Sequence, residues 1–438
     1  MPITCDRLAA KVSSQATFLR LGNGVTLVHQ EMPASAVVSV DVWVKAGATS
    51  DPASCLGMAH FLEHMIFKGT EAIAAGEFDL VIESEGGTSN AATSLDYAHY
   101  NFTVAANRLA IALPYLSQML LEAKIDEQEL EQERLVVLEE LRQAMDDPDW
   151  ITYQHLMETA YGDHVYSRSV LGSEAVVSGI TANQMREYHQ TYYRPENMTV
   201  AISGAVTREE VIKIVDSAFT QNTFSRNIPK NILRNISNDA NPVQNLPTPT
   251  MRRDTISLPM VQHSRLNMAW MGASVANLED AIQLELVTMI LTEGRSARLV
   301  RELLEESDLV QDIAGSFALQ QEAALFTISA YLDAENLELV EHKIIQQVQD
   351  LQNHPISEAE LNKAKRSLCN QFVFALESPS QLANFLGYHS LLGCEELCRD
   401  WSNAYCDIIR KVQPSDLQNL VKKYLSLENY IVTCAVPA

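Results

Sequence analysis

Two histidines and a glutamate lie within five consecutive residues, His60-Phe61-Leu62-Glu63-His64. The surrounding run GMAHFLEHMIFK has apolar residues at helical spacing, so the imidazoles of His60 and His64 are expected one turn apart on one helix face. Two imidazoles in this arrangement are suited to bind zinc, and Glu63 can border the same site. The alternative is a pair of solvent-facing histidines without a ligand, and this short pattern alone does not exclude it.

A second helix, predicted over residues 127–145, carries carboxylates that could complete such a site. Glu133 and Glu140 are seven residues apart, which places them two turns apart on one face. One carboxylate could then bind the metal while the other supports it from behind. Several other glutamates crowd the same helix, so a solvated acidic face is the alternative, and spacing alone does not choose between the two.

The remaining sequence indicates two similar halves. Strands are predicted where apolar residues alternate, as from Val38 to Val44, and helices follow them. An Asn- and Pro-rich stretch without clear periodicity favours a linker, after which the order of strands and helices recurs. We therefore predict an α+β protein with domains over residues 1–220 and 256–438, joined by a linker over residues 221–255.

Composition narrows the possible partners and locations. Lys plus Arg number 32 against 56 Asp plus Glu, a net charge of −24. This disfavours nucleic acid and anionic membranes and favours cationic ligands such as basic peptides, although acidity can serve solubility alone. The absence of a long apolar run predicts a soluble protein without membrane insertion. Seven scattered cysteines favour free thiols in the cytoplasm or another reducing intracellular compartment.

Four segments together resemble the pitrilysin family of H-x-x-E-H zinc metallopeptidases, in its mitochondrial processing peptidase-like branch: GMAHFLEHMIFKGT, SNAATSLDYAHYNF, ERLVVLEEL and YYRPENMTVAISG. The resemblance implies two homologous α/β-roll domains, each a mixed β-sheet covered by helices. It also implies one Zn²⁺ per chain, with His60, His64 and Glu140 as metal ligands. Glu63 corresponds to the catalytic general base, and Glu133 to a carboxylate that assists catalysis.

The segment SNAATSLDYAHYNF resembles the family's substrate-binding edge strand, to which a peptide adds as a further strand. Asn90 and Ala91 match the substrate-binding positions, although Asn90 could instead be an ordinary turn residue after Gly86-Gly87. The expected function is therefore that of a zinc-dependent metalloendopeptidase that hydrolyses unfolded peptides or short polypeptides.

One departure from the family lies in the second half. Single-chain and homodimeric relatives carry there an Arg and a Tyr seven residues apart, which reach the substrate, whereas the matching positions here are Leu304 and Gln311. In the processing peptidase-like branch a zinc-bearing chain can pair with a homologous chain that lacks the zinc motif. We therefore expect a heterodimer whose partner supplies the Arg/Tyr pair, with a homodimer as the alternative. A non-catalytic or weakly active scaffold subunit of a larger complex is the competing function.

Overall fold

The computed structural model describes residues 15–220, 246–248 and 250–438. Most of the predicted linker, residues 221–245 and 249, lies outside the described residues, as does Cys5. Within the described part of the chain, no helix is both long and apolar enough to span a bilayer.

Two mixed β-sheets organise the described residues. The first has the order β1-β2-β6-β3-β5-β4 and the second β7-β11-β8-β10-β9. One parallel pair occurs in each sheet, β2 with β6 and β7 with β11. The strands are β1 (Thr17–Arg20), β2 (Thr26–Glu31), β3 (Val37–Val44), β4 (Thr88–Thr93), β5 (Ala98–Ala105), β6 (Met198–Gly204), β7 (Arg252–Leu258), β8 (Ser264–Met271), β9 (Asp312–Phe317), β10 (Leu325–Leu332) and β11 (Ile431–Pro437).

Helices cover the sheets, and a π-helical segment spans Val300–Glu306. The predicted helix over residues 127–145 is confirmed by α4. The α-helices are α1 (Met58–Ile66), α2 (Glu77–Ser84), α3 (Leu109–Glu122), α4 (Glu127–Asp146), α5 (Pro148–Tyr161), α6 (Glu174–Val177), α7 (Ala182–Tyr192), α8 (Arg208–Thr220), α9 (Leu278–Leu291), α10 (Leu337–Asn353), α11 (Glu358–Ala375), α12 (Pro379–Leu391), α13 (Glu395–Arg399), α14 (Trp401–Lys411) and α15 (Pro414–Tyr424).

The chain forms two compact units, and each unit includes a segment from the other half of the sequence. The described residues of the first unit lie within Met1–Arg142, Arg168–Val243 and Phe374–Ala404, and the rest belong to the second. In the first unit α12 packs on β3 and β6, and in the second α5 packs on β11 and β7. The predicted fold class, two domains that each combine a mixed sheet with helices, is confirmed. The strand β7 begins at Arg252, within the range that the sequence assigns to the linker.

The core of the first unit supports the helix that carries the H-x-x-E-H motif. Val40 and Val42 of β3 are completely buried, as are Phe61 and Leu62 of α1, and all four belong to one apolar cluster. The apolar residues between the two histidines therefore pack inward as the helical period predicts. The polar side chains of α1 therefore point away from this apolar cluster and contact other elements.

Candidate active site

The start of α1 is fixed by Asp51 and Gly57. The Asp51 carboxylate, which is buried, accepts hydrogen bonds from the backbone N–H groups of Gly57 (2.7 Å) and Ala59 (2.9 Å). Burial raises the pKa of Asp51 to about 7, although these N–H groups act in the opposite direction. Gly57 has a φ of +93°, and a Cβ there would lie 2.8 Å from the carbonyl oxygen of Leu171. Both residues therefore set where the following His60 emerges.

We expect Asp51→Ala to destabilise the chain by about 2–4 kcal/mol, because it leaves two buried N–H groups without an acceptor. Asp51→Asn should cost less, since its amide oxygen can still accept one of these hydrogen bonds while the buried charge is removed. A thermal scan measures the effect, with a fall in Tm of about 5–10 °C expected for Asp51→Ala. Unchanged unfolding of Asp51→Ala would show that these hydrogen bonds do not hold α1 in place.

Three of the predicted residues come together at one point. His60 Nε2 lies 3.5 Å from Oε1 of Glu140, and His64 Nε2 lies 3.3 Å from Oε2 of the same carboxylate. One donor atom from each of the three residues lies within 4.8 Å of the others. Helix α1 thus supplies two imidazoles, and α4 brings a carboxylate to face both of them.

This donor set fits a zinc ion. Two neutral imidazole nitrogens and a carboxylate are common zinc ligands, and ligands at 2.0–2.1 Å from a tetrahedral ion are about 3.4 Å apart. The separations of 3.5 and 3.3 Å, which run to the two oxygens of Glu140, are close to that spacing. Hydrogen bonds with His60 and His64 also lower the pKa of Glu140, which keeps it in the anionic form that a metal requires. Because the Glu140 side chain is 44% exposed, the site is open to a further ligand.

Glu133 supports His64 from the side opposite the donor atom. Its Oε1 accepts a hydrogen bond from Nδ1 of His64 at 3.0 Å, which leaves Nε2 directed at Glu140. Burial opposes the charged form of Glu133, but hydrogen bonds with His64 and Lys68 lower its pKa overall. Burial likewise disfavours the His64 imidazolium, but hydrogen bonds with Glu133 and Glu140 raise the pKa of His64 to about 9. Metal binding must therefore displace a proton from His64 at neutral pH.

Lys68 is the cation in contact with Glu133, through its ammonium group and Oε2 of the carboxylate. We expect Lys68→Met to weaken zinc binding by about 10–100-fold, the usual effect of losing a residue that orients a metal ligand. Lys68→Arg should bind zinc nearly as well as the wild type, because it keeps a positive charge there. The measurement is zinc affinity by competition with a chelator. Lys124→Met is the control, since Lys124 lies 3.9 Å from the carboxylates of Glu71 and Asp126. Equal affinity in Lys68→Met and the control would contradict this role.

The predicted general base, Glu63, lies on α1 beside the last residue of β4. Thr93 donates a hydrogen bond from Oγ1 to Oε2 of Glu63 at 2.5 Å. Glu63 is separate from the triangle of His60, His64 and Glu140 that could hold a metal. Its role as the general base stays a prediction.

The predicted substrate-binding segment forms an edge strand, because β4 is the outermost strand of the first sheet among the strands that the structure describes. Ser94 donates a backbone hydrogen bond to Tyr97 at the turn between β4 and β5. Hydrogen-bonded pairs alternate along an antiparallel ladder, so the N–H and C=O groups of Asn90 point towards β5. The side chain of Asn90 is exposed. The residues whose backbone groups face outward are Ser89, Ala91 and Thr93.

The positions that differ from the family lie in the second unit. Leu304 is part of the π-helical segment and is half-buried, and Gln311 is exposed just before β9. The Gln311 side-chain amide contacts Nδ1 of His263 at 2.7 Å. Neither residue offers the guanidinium or the phenol that the family resemblance leads us to expect at these positions.

Three residues that contact α1 or a residue of the candidate site were not predicted from the sequence: Asp51, Lys68 and Thr93. Lys68 lies four residues after His64, so helical spacing could have placed it on the same side of α1. Thr93 stands within the segment that resembles the substrate strand, but its contact with Glu63 depends on how α1 packs on the sheet. Asp51 precedes the helix by a loop whose shape the sequence does not specify.

Comparison with known proteins identifies the family. The family model described as Insulinase (Peptidase family M16) matches residues 26–174, and the one described as Peptidase M16 inactive domain matches residues 179–368. The first match contains every residue of the candidate site.

Relatives extend over nearly the whole chain. The zinc protease PqqE of Helicobacter pylori is 27% identical over 92% of this chain and 89% of its own length. The probable mitochondrial-processing peptidase subunit beta of Arabidopsis thaliana is 27% identical over 84% of this chain and 68% of its own length. A crystal structure of a protease from Helicobacter pylori shares the fold, with a TM-score of 0.88 at 24% identity over 97% of this chain and 99% of that one. With its two M16 domains and its zinc protease homologues, the chain belongs to the peptidase M16, or pitrilysin, family.

Proposed function

We propose that this chain is a zinc-dependent metalloendopeptidase that hydrolyses unfolded peptides or short polypeptides. The observation that carries the proposal is the convergence of His60, His64 and Glu140 within 4.8 Å, with Glu63 on the same helix as the two histidines. The names of its relatives, which include zinc proteases, support the same function. One Zn²⁺ per chain is the proposed cofactor.

The chemistry follows from the arrangement of side chains. A zinc ion held by His60, His64 and Glu140 would supply a Lewis acid that acidifies water and polarises a carbonyl group. Glu63 takes a proton from the attacking water as the new C–O bond forms, and returns a proton to the leaving amine as the C–N bond breaks. Glu133 keeps His64 in the tautomer whose Nε2 faces the site.

The proposed substrate is an extended peptide that adds to the free edge of β4. The outward-facing backbone groups of Ser89, Ala91 and Thr93 can pair with any unfolded chain, so the affinity is sequence-tolerant. The exposed Asn90 side chain can contact the peptide from one face. The net charge of −24 further favours Lys/Arg-rich peptides at low salt.

We also propose that the chain is the zinc-bearing subunit of a dimer. Leu304 lacks the charged donor that an Arg offers to a developing oxyanion, and the Gln311 amide, at the Tyr position, already contacts His263. A homologous partner that lacks H-x-x-E-H but carries the Arg/Tyr pair would supply these donors, and one such donor contributes about 10²–10³-fold in rate. A homodimer is the alternative assembly.

The experiment compares hydrolysis by the zinc-loaded chain, by a homologous partner recovered from the native source, and by their mixture. Unstructured peptides should be cut and folded proteins spared, with kcat/KM about 10²–10³ higher in the mixture. Lys/Arg-rich peptides should be cut faster than acidic ones at low salt, and the difference should shrink at high salt. High turnover by the isolated chain, unchanged by dilution, would contradict the heterodimer. No hydrolysis by any zinc-loaded mixture would favour the scaffold function instead.

A further inference from the structure

We propose that Thr93 is a positioning residue that couples peptide binding on β4 to the alignment of Glu63. The inference rests on the proposed function, and it adds a role for a residue that neither binds the metal nor transfers the proton. Thr93 is the last residue of β4, where the edge strand meets α1.

The first observation is the side-chain contact. The Thr93 hydroxyl donates a hydrogen bond to Oε2 of Glu63 at 2.5 Å, as expected for a hydroxyl and a charged carboxylate. This donor occupies one oxygen of the carboxylate and so fixes the direction in which the other points. A base must lie within hydrogen-bond reach of its proton donor, so the orientation of Glu63 bears directly on rate.

The second observation is the direction of the Thr93 backbone. The pair Thr93 and Ala98 adjoins the hydrogen-bonded pair Ser94 and Tyr97, so Thr93 belongs to the set whose N–H and C=O point away from β5. The hydrogen bonds between β5 and β3 agree with this assignment. The N–H of Ala106 donates to the C=O of Ala36 at 3.1 Å, so every second residue of β5 counted back from Ala106 pairs with β3 and the residues between them pair with β4. A peptide added to the edge can therefore pair with Thr93 itself.

The third observation is that the end of β4 is held firmly. After Thr93 the chain is fixed by two backbone hydrogen bonds, from Ala48 to the carbonyl of Ser94 (3.0 Å) and from Thr49 to the carbonyl of Leu95 (2.9 Å). Thr93 thus touches the peptide with its backbone and the base with its side chain, from one constrained position. The distance between the bound peptide and Glu63 is set through this residue.

The alternative is that the Thr93 hydroxyl only satisfies a half-buried carboxylate and contributes to stability. Thr93→Val distinguishes a positioning role from a purely structural one, because valine keeps the shape and the strand preference of threonine but lacks the hydrogen-bond donor. Positioning predicts that kcat falls by about 10–100-fold, the scale of a small displacement of a catalytic group. KM, zinc content and Tm should change little. Thr93→Ser, which retains the hydroxyl, should recover most of the rate.

Thr88→Val is the matched control, since Thr88 lies at the other end of the same strand and its side chain is exposed. In the Glu63→Gln background, adding Thr93→Val should cost little further, because the two residues act through one interaction. An unchanged kcat in Thr93→Val, or a full additional loss in the Glu63→Gln background, would overturn the inference. Absence of zinc-dependent hydrolysis by the wild-type protein with its partner would instead overturn the proposed function on which it rests.

Discussion

Replacement of any one metal ligand is expected to remove most of the bound zinc. The wild-type chain should hold about one zinc per molecule, and His60→Ala, His64→Ala and Glu140→Gln should each weaken zinc binding by more than about 100-fold, beyond the usual effect of losing a supporting residue. The reason is that His60 and His64 both face the Glu140 carboxylate, so each variant removes a donor from a set of only three. Metal analysis of the purified proteins after dialysis against a weak chelator gives the occupancy.

Glu139→Gln is the matched control for the carboxylate. It changes the neighbouring glutamate of α4, which lies about 100° round the helix from Glu140. Zinc should be retained in this variant. If Glu140→Gln kept stoichiometric zinc while Glu139→Gln lost it, the assignment of the third ligand would be wrong.

Glu63→Gln is expected to keep zinc and to lose most of the peptidase activity. Glutamine has the size of glutamate but cannot accept the proton from water, and general-base catalysis contributes about 10²–10⁴ in rate. Because Glu63 lies outside the triangle of potential ligands, the zinc content should match the wild type. The test combines kcat measured with the partner present and zinc content of the same preparation.

Two other results would change this assignment. Loss of zinc in Glu63→Gln would mean that the carboxylate is a ligand, and full activity would mean that another group takes the proton. Asp79→Asn serves as a control, since Asp79 is a carboxylate of α2 that accepts a hydrogen bond from Ser89 of β4.

The sequence predicted the relative positions of side chains well where one helix carries them. The spacing of His60 and His64 within α1, and of Glu133 and Glu140 within α4, follows from the helical period, and each pair lies on one face as expected. The meeting of α1 with α4 was implied only by the family resemblance, because no local pattern specifies which helices pack together. Thr93 was missed because it contacts Glu63 from a distant part of the sequence, and Asp51 because it acts through a loop whose shape the sequence does not specify.

The arrangement of the two units could not be predicted from the order of elements. Periodicity did not indicate that α12 covers the sheet of the first half or that α5 covers that of the second. An amphipathic pattern reports that a helix has an apolar face and not which sheet that face meets. The strand β9 was also missed, since DIAGSF is short and contains a glycine.

The most direct test of the account is a zinc titration of peptide hydrolysis. The chain is stripped of metal, mixed with its partner and assayed on an unstructured peptide as zinc is added. We expect the rate to rise from near zero to a plateau at about one zinc per chain, and Glu63→Gln to stay near zero throughout. Full hydrolysis by the metal-free mixture, or none at zinc saturation, would contradict a zinc peptidase centred on His60, His64 and Glu140.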